Sequence, residues 1–312
     1  MNMPKELAHW ILAEEALSSL EGESGIGRII REHHDMYLAG AVLPDTLLYL
    51  FQGPHTGVAL ALADSFHDAP GNSNEPLVQV EEQFPDGMPP DILACLLGVI
   101  SHMQADIAFH PFVYSVAGTD LGEHYRLETI IDLCLIQAGA VPPVRHLSEL
   151  VSSKVLGKLA GVISLLFDPA KELPEQTVSQ ALYLHCRYQA MYDNIFWQLA
   201  ATLRGFLPVP RYRRQKHLFY PLNLFGKKYE VENKGRWCCP VTGKQRKETL
   251  TGLANRVVER TLELFQLIER NGSLKTALNA VQGENLLTGL YGVRISSIKA
   301  SPVPGSKAAV YP

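Results

Sequence analysis

Residues 96–111 read LLGVISHMQADIAFHP, and this stretch decides the fold. Pro89-Pro90 suits a helix start, and the apolar residues that follow predict one long helix from about Asp91 to Phe112. Three residues of metal-ligand type recur on it at intervals of four: His102, Asp106 and His110. That spacing presents all three on one helix face, within about 80° of one another.

A second helix supplies two more residues of the same kind. His124 and Glu128 are again four apart, in a segment that reads as a helix to Gln137. Imidazoles and carboxylates so spaced on facing helices are how a helical bundle builds a metal site. Burying two histidines and an aspartate in an apolar helix would be costly without partners, and a metal ion offsets that cost. The alternative is that they are ordinary core residues with hydrogen-bond partners.

The ligand types indicate which metal and which chemistry to expect. Mixed imidazole and carboxylate ligands suit zinc best, with manganese or iron as alternatives. No thiolate joins the set, which argues against a closed structural zinc site. A carboxylate-rich cluster with room for water indicates hydrolysis.

The rest of the chain predicts a mainly α fold, a multi-helix bundle. Further helices are expected at about residues 5–20, 26–38, 55–66, 153–167, 174–205 and 250–269. Between them, residues 204–247 hold twelve Lys or Arg, two acidic residues and several prolines, so this basic segment is irregular. Residues 224–240 within it suggest a short β-hairpin. We therefore expect a helical domain over 1–205, a basic connector or lid over 206–249, and C-terminal helices over 250–312 that pack on the same domain.

Composition and hydropathy place few limits on function. The 312 residues are 46% apolar and 19% charged, with a net charge of −4, as is ordinary for a globular protein. The first twenty residues carry charges and lack the uninterrupted apolar stretch of a secretory signal. No run of 18 apolar residues occurs, so we expect no transmembrane segment and a cytoplasmic location.

The motifs resemble a known family. His-x-x-x-Asp followed closely by a histidine, and then His-x-x-x-Glu, is similar to the zinc-dependent phospholipases C of bacteria. AGAVLPDTLLYL at 39–50, together with LLGVISHMQADIAFHP, resembles still more the amino-terminal domain of glycosylphosphatidylinositol-specific phospholipase D and its bacterial relatives. The likeness covers about residues 5–140, or as far as about residue 200. It implies a zinc-dependent phosphodiester hydrolase whose substrate is a phospholipid.

The resemblance also implies a ligand set. It comprises His9, Asp45, His55, His102, Asp106, His110, His124 and Glu128. Asp45 is additionally implied as a general base, and Asp106 as a bridge between two metals. His67, at the far end of the helix that His55 opens, competes with His55 for one position. Two or three zinc ions are expected, with a hydroxide that bridges two of them attacking phosphorus.

The sequence also departs from the family in two places. Secreted members bind one zinc through the amine of an amino-terminal tryptophan, whereas Trp10 is internal here and has no such amine. Thr46 follows Asp45 where an aromatic choline-binding residue would be expected, so choline specificity is not implied.

Two other functions stay open at this stage. The zinc-dependent fungal single-strand nucleases are similar in fold and metal cluster, and the basic segment 204–247 has interleaved aromatics that suit nucleic acid. The same segment would equally suit contact with an anionic membrane surface. A metal-binding protein without catalysis is the other alternative.

Overall fold

The computed structural model describes residues 6–20, 22, 24–221, 229 and 236–298. Within these residues the fold is mainly α, as the sequence predicts. The α-helices are α1 (Glu6–Ser18), α2 (Gly25–Glu32), α3 (His34–Gly40), α4 (Thr56–His67), α5 (Glu75–Glu82), α6 (Pro90–Ala117), α7 (Leu121–Gln137), α8 (Ser153–Phe167), α9 (Glu175–Gln189), α10 (Ile195–Gly205), α11 (Pro210–Gln215), α12 (Leu250–Asn271) and α13 (Leu274–Asn279). Short 3₁₀ helices lie at Leu43–Tyr49, Leu147–Glu149, Lys216–Leu218 and Ile295–Ser297.

Helix α6 is the centre of the molecule. From Ala94 to Ser115 every one of its residues is buried. One apolar cluster, built largely from α3, α4, α5, α8 and α9, packs on one part of this helix, and a second packs on its C-terminal half. The second cluster joins Leu12 of α1 and Phe109 of α6 to Leu253 and Val257 of α12. Residues far apart in the chain therefore share the core that surrounds the predicted metal ligands.

Helix α6 is also long and apolar enough to cross a membrane, but 89% of its most apolar window is buried inside the protein. Its apolar surface is therefore already covered by neighbouring helices.

Three helix predictions were wrong in their bounds. The single helix expected over 26–38 is two helices, α2 and α3, which His33 separates. Helix α6 continues past Phe112 to Ala117 although Pro111 lies inside it, and it ends at Gly118, whose φ is 57°. Pro111 has no N–H to donate to the carbonyl of Ile107. Gly289 lies against this carbonyl, so closely that a Cβ on Gly289 would be 2.7 Å from the Ile107 oxygen. The single helix predicted over 174–205 is instead α9 and α10, because Asn194 caps a new helix by accepting from the Phe196 N–H.

The predicted hairpin over 224–240 lies mostly outside the described residues. At the end of this range the structure has one short strand, β1 (Trp237–Cys238), which pairs antiparallel with β2 (Gln245–Arg246) beyond the range.

Candidate metal centre

Five elements deliver eight ligand-type side chains to one buried region. His9 comes from α1, Asp45 from the 3₁₀ helix Leu43–Tyr49, and His67 from the last residue of α4. Helices α6 and α7 supply the rest: His102, Asp106, His110, His124 and Glu128. All eight side chains are buried. The four-residue spacing on α6 and α7 therefore does place their ligand residues on facing surfaces.

Asp106 lies at the middle of this region. Its Oδ1 is 3.6 Å from His9 Nε2, and its Oδ2 is 3.3 Å from His102 Nε2 and 3.9 Å from His67 Nε2. One carboxylate thus has histidines on both of its oxygens, which is the arrangement expected of a bridging ligand.

Asp45 closes the first group of ligands. Its Oδ1 is 3.3 Å from His67 Nε2, and its Oδ2 is 4.0 Å from His102 Nε2. The ligand atoms of His67, His102 and Asp106 lie within 4.8 Å of one another, and so do those of His9, Asp45 and His102. These overlapping sets bring oxygen and nitrogen ligand atoms close enough together to bind a common metal ion.

A second group lies farther along α6 and α7. Glu128 Oε1 is 2.7 Å from His124 Nε2 and 3.6 Å from His110 Nε2. His110, His124 and Glu128 again lie within 4.8 Å of one another. His110 also faces the first group, because its Nδ1 is 3.7 Å from Asp106 Oδ2.

Three of the imidazoles are oriented by backbone carbonyls. The Nδ1 of His102 donates to the Ala41 carbonyl at 2.9 Å, that of His110 to Leu286 at 3.0 Å, and that of His67 to Ala63 at 2.8 Å. Such a bond fixes the tautomer and directs the lone pair of Nε2 toward the ligand cluster. The same second-sphere arrangement accompanies metal-binding histidines in general.

The cluster leaves many buried polar atoms without hydrogen-bond partners among the described residues. They are His9 Nδ1, both Asp45 oxygens, His67 Nε2, His102 Nε2, Asp106 Oδ2, His124 Nδ1 and Glu128 Oε2. Each such buried atom costs about 1–3 kcal/mol if nothing satisfies it. Most of these atoms face the other nitrogen and oxygen atoms of the ligand groups. Ions of the zinc type, which bind such atoms, therefore fit the residues present.

The electrostatics of the cluster follow from burial and from Asp106. Burial lowers the pKa of His102 and His110, but the Asp106 carboxylate and its neighbours outweigh burial and raise both to about 9. Burial raises the pKa of Asp106, and the opposing charges of His110 and His102 bring it well below its usual range. Burial raises the pKa of Asp45, which its histidine neighbours only partly counter.

The structure does not bring His55 to the cluster. His55 caps the start of α4, is only partly buried and belongs to none of the three ligand groups found among the described residues. His55 precedes the first residue of α4 and His67 is its last residue, and the two ends of this 12-residue helix are roughly 18 Å apart. His67 is at the end that reaches Asp45 and Asp106. The competing residue therefore replaces His55 in the structural ligand set.

Trp10 has a structural role. It is fully buried and donates its Nε1–H to the Leu38 carbonyl at 2.9 Å. It anchors α1, and thereby His9, against α3.

Sequence reasoning missed a buried polar shell around α1. Asp132 accepts from the Ala8 N–H at 2.9 Å and from the Tyr220 hydroxyl, while Tyr49 donates to Glu6. His185 stacks on Tyr49 with ring centroids 4.1 Å apart. Only Asp132 had a signal in the sequence, because it lies four residues after Glu128 on the same face of α7.

The ligand cluster opens on a cavity of about 420 Å³. Asp45, His67 and His110 line it, together with Leu287 and Arg294 from the C-terminal segment. Asp68, next to His67, holds that segment in place by accepting from the Ile295 N–H at 2.8 Å and from Arg294 Nε at 3.0 Å. A substrate in this cavity would meet both the ligand cluster and the guanidinium of Arg294, which is paired with Asp68.

Comparison with known proteins agrees with this geometry. A family model described as zinc dependent phospholipase C matches residues 8–163, which is half of the chain and includes all eight buried ligand-type residues. No curated protein and no solved structure matches the chain.

Proposed function

The chain belongs to the zinc-dependent phospholipase C family, and from this premise we propose that it hydrolyses a phosphodiester bond of a phospholipid. The observation that carries the proposal is the pair of ligand groups on the two sides of Asp106. Buried ligand atoms of these groups have no hydrogen-bond partner among the described residues, and the groups border a cavity large enough for a headgroup. Zinc bound there supplies an activated water and stabilises charge on the phosphoryl oxygens.

We assign two ions as the minimum. The Nδ1 of His102 is engaged by Ala41, so this histidine has one nitrogen left and can serve only one of the two overlapping groups. One ion is then held by Asp45, His67, His102 and Asp106, and the other by His110, His124 and Glu128. His9 faces the second oxygen of Asp106, and a third ion there would need donors other than an amino-terminal amine.

The side chains around the cavity suggest roles in the reaction. Burial raises the pKa of Asp45, which makes its carboxylate a better proton acceptor beside the ligand cluster. Arg294 lines the same cavity, and its guanidinium, whose Nε is held by Asp68, would bind a phosphate oxygen through its terminal N–H groups. Leu48, Leu121 and Leu287 provide an apolar approach.

The test combines zinc analysis with a substrate panel. The zinc-loaded protein is offered a short-chain phospholipid and single-stranded DNA, each at two salt concentrations and with or without chelator. We expect chelator-sensitive cleavage of the phospholipid. Asp106→Asn should abolish it and lower the zinc content, because an amide cannot supply the bridging charge. The matched control is Asp35→Asn, at an exposed position of α3, which should change neither.

Each remaining outcome contradicts a defined part of the proposal. Cleavage of DNA alone, falling steeply with salt, would identify a nuclease instead. A zinc-replete protein that cleaves neither substrate would identify a non-catalytic member of the family. Less than one zinc per chain would refute the ligand assignment itself.

A further inference from the structure

Helix α10 carries its apolar residues on the outside. Ile195, Phe196, Leu199 and Leu203 are 59%, 79%, 48% and 60% exposed, and no residue of this helix is buried. At about 100° per residue these four positions fall within one arc of about 100°, so they form a continuous stripe. A helix of a folded domain normally directs such a stripe at the core.

The exposed apolar surface continues beyond the helix. Phe206, Leu207 and Val209 follow it and are also exposed. Of the eleven large hydrophobic residues that are exposed in the described part of the chain, eight lie between residues 195 and 209. A concentration of this kind marks a binding surface, whereas singly scattered apolar residues do not.

The opposite side of α10 faces the protein, with Ala200 and Ala201 half-buried and Trp197 43% exposed. Trp197, Ala200 and Ala201 line a cavity of about 490 Å³ together with Tyr188 and Phe219. The following segment is tied down as well, because the Tyr220 N–H donates to the Tyr192 carbonyl and Thr129 Oγ1 donates to the His217 carbonyl at 2.9 Å each. Thr129 belongs to α7, the helix that carries His124 and Glu128. The segment that follows the stripe is therefore anchored on a helix that carries two of the candidate metal ligands.

The charge of this region indicates what the stripe contacts. Residues 194–229 contain no aspartate or glutamate, although the whole chain has a net charge of −4. Five cations follow the stripe: Arg204, Arg211, Arg213, Arg214 and Lys216. All five are exposed, and Arg204, Arg211 and Lys216 border the cavity on the other side of α10 from the stripe. An apolar helix face with cations on the opposite side suits an anionic lipid surface, which accepts the apolar side chains below the headgroups and the cations among them.

Two other partners suit these residues less well. A symmetric contact between two copies of the chain would set the same cations against one another. Single-stranded nucleic acid would use the cations and aromatic rings, but it has no use for the aliphatic side chains of Ile195, Leu199 and Leu203.

We propose that residues 195–216 form a membrane-docking surface that binds anionic phospholipid bilayers, with the α10 stripe inserted and the basic residues at headgroup level. The proposal goes beyond the proposed hydrolysis, because binding to a bilayer requires no turnover. Through the hydrogen bond of Thr129 to His217, this surface is connected to α7, the helix that carries His124 and Glu128.

The test is sedimentation of the zinc-loaded protein with vesicles of phosphatidylcholine, with and without phosphatidylserine. We expect binding that requires phosphatidylserine and weakens with salt. The double substitution Phe196→Ser with Leu203→Ser should lower the vesicle affinity by at least about tenfold, because it removes two inserted side chains. Arg211→Gln with Arg213→Gln should lower the affinity severalfold and reduce its dependence on phosphatidylserine.

Controls separate docking from folding and from hydrolysis. Val141→Ser replaces an exposed apolar residue outside this surface and should leave vesicle binding unchanged. Zinc content and cleavage of a dispersed short-chain substrate should be the same in the Phe196/Leu203 variant as in the parent. Because sedimentation reads binding alone, an inactive protein that still binds vesicles would contradict only the proposed hydrolysis.

Three results would overturn the docking proposal. One is a parent protein that does not bind anionic vesicles. Another is a Phe196/Leu203 variant that binds them as well as the parent does. The third is that the parent protein forms a concentration-dependent dimer or a complex with single-stranded DNA, and that the variant loses this association but binds vesicles as the parent does.

Discussion

Asp106 lies at the middle of the candidate ligand cluster. Its two oxygens face histidines from α1, α4 and α6, and it lies 3.7 Å from the Nδ1 of His110 in the second group. The carboxylate is almost fully buried, so solvent screens these charges little. This charge raises the pKa of His102 and His110, whereas burial and the neighbouring histidines lower the pKa of His9 in spite of it.

The choice between His67 and His55 is testable by matched substitutions at the two ends of α4. The Nε2 of His67 lies 3.3 Å from Asp45, so we expect His67 to bind the zinc ion directly. His67→Gln should then lower zinc affinity by more than the roughly tenfold that the loss of an outer-sphere residue costs. His55→Gln should leave zinc content and activity unchanged. Titration with a competing chelator measures both affinities. Equal effects of the two substitutions, or a larger effect at residue 55, would contradict the structural ligand set.

Zinc binding should release protons at neutral pH. The pKa values of about 9 for His102 and His110 mean that both imidazoles are protonated in the metal-free protein near pH 7. Zinc binds only neutral imidazole, so binding displaces these protons. The apparent zinc affinity should therefore rise with pH and level off above about pH 9.

Calorimetry in two buffers that differ in ionisation enthalpy measures this release. The observed heat of zinc binding should differ between the buffers at pH 7 and become similar above pH 9. A heat that does not depend on the buffer at pH 7 would contradict the protonation states.

Some of these residues were predictable from the sequence and others were not. Helical periodicity converts a spacing of four directly into a shared face, so the grouping of His102, Asp106 and Glu128 with their neighbours follows from local geometry. His67 and His55 lie on the same predicted helix, and only the direction of α4 relative to Asp45 distinguishes them. The direction of α4 depends on tertiary packing, and no local sequence pattern predicts it.

At the scale of elements, the close approach of α3 and α6 positions the first ligand group. Gly98 of α6 lies against the end of α3, and a Cβ on it would be 2.0 Å from the Tyr37 oxygen and 2.8 Å from the Ala41 nitrogen. Ala41 is the residue whose carbonyl orients His102. An isolated glycine in an apolar helix gave no sign of this contact in the sequence.

Gly98→Ala should therefore destabilise the fold by about 1–3 kcal/mol or more, since α3 must move away from α6. It should also weaken zinc binding, because Ala41 would shift relative to His102. Gly161→Ala on α8 is the matched control: no atom lies within 4 Å of a Cβ there, and alanine favours a helix by up to about 1 kcal/mol. Urea unfolding and zinc analysis test both. A Gly98 variant as stable as the parent would contradict the close packing.

At the scale of the whole molecule, the metal centre is held from both halves of the chain. The matched family region ends at residue 163, yet His110 donates to the Leu286 carbonyl and Asp68 binds Arg294 and Ile295. Helix α12 packs in the same apolar cluster as α1 and α6. The sequence motifs identified the ligand helices, but the resemblance covered only the N-terminal part and gave no role to residues 282–298.

Removal of zinc should consequently loosen the molecule well beyond the ligands. Binding at a concentration of about 1,000 Kd stabilises a fold by roughly 4 kcal/mol per site, which for a chain of this size is a Tm change on the order of 10 °C. We expect chelation to lower Tm by at least this amount and zinc to restore it. Hydrogen exchange should accelerate at residues 285–295, because metal-free His110 and His67 no longer fix the cavity wall that this segment forms. Asp106→Asn protein should respond much less to chelator, since it binds less zinc at the start. A parent protein whose Tm and exchange at 285–295 are unchanged by chelation would show that these ligands do not couple metal binding to the fold.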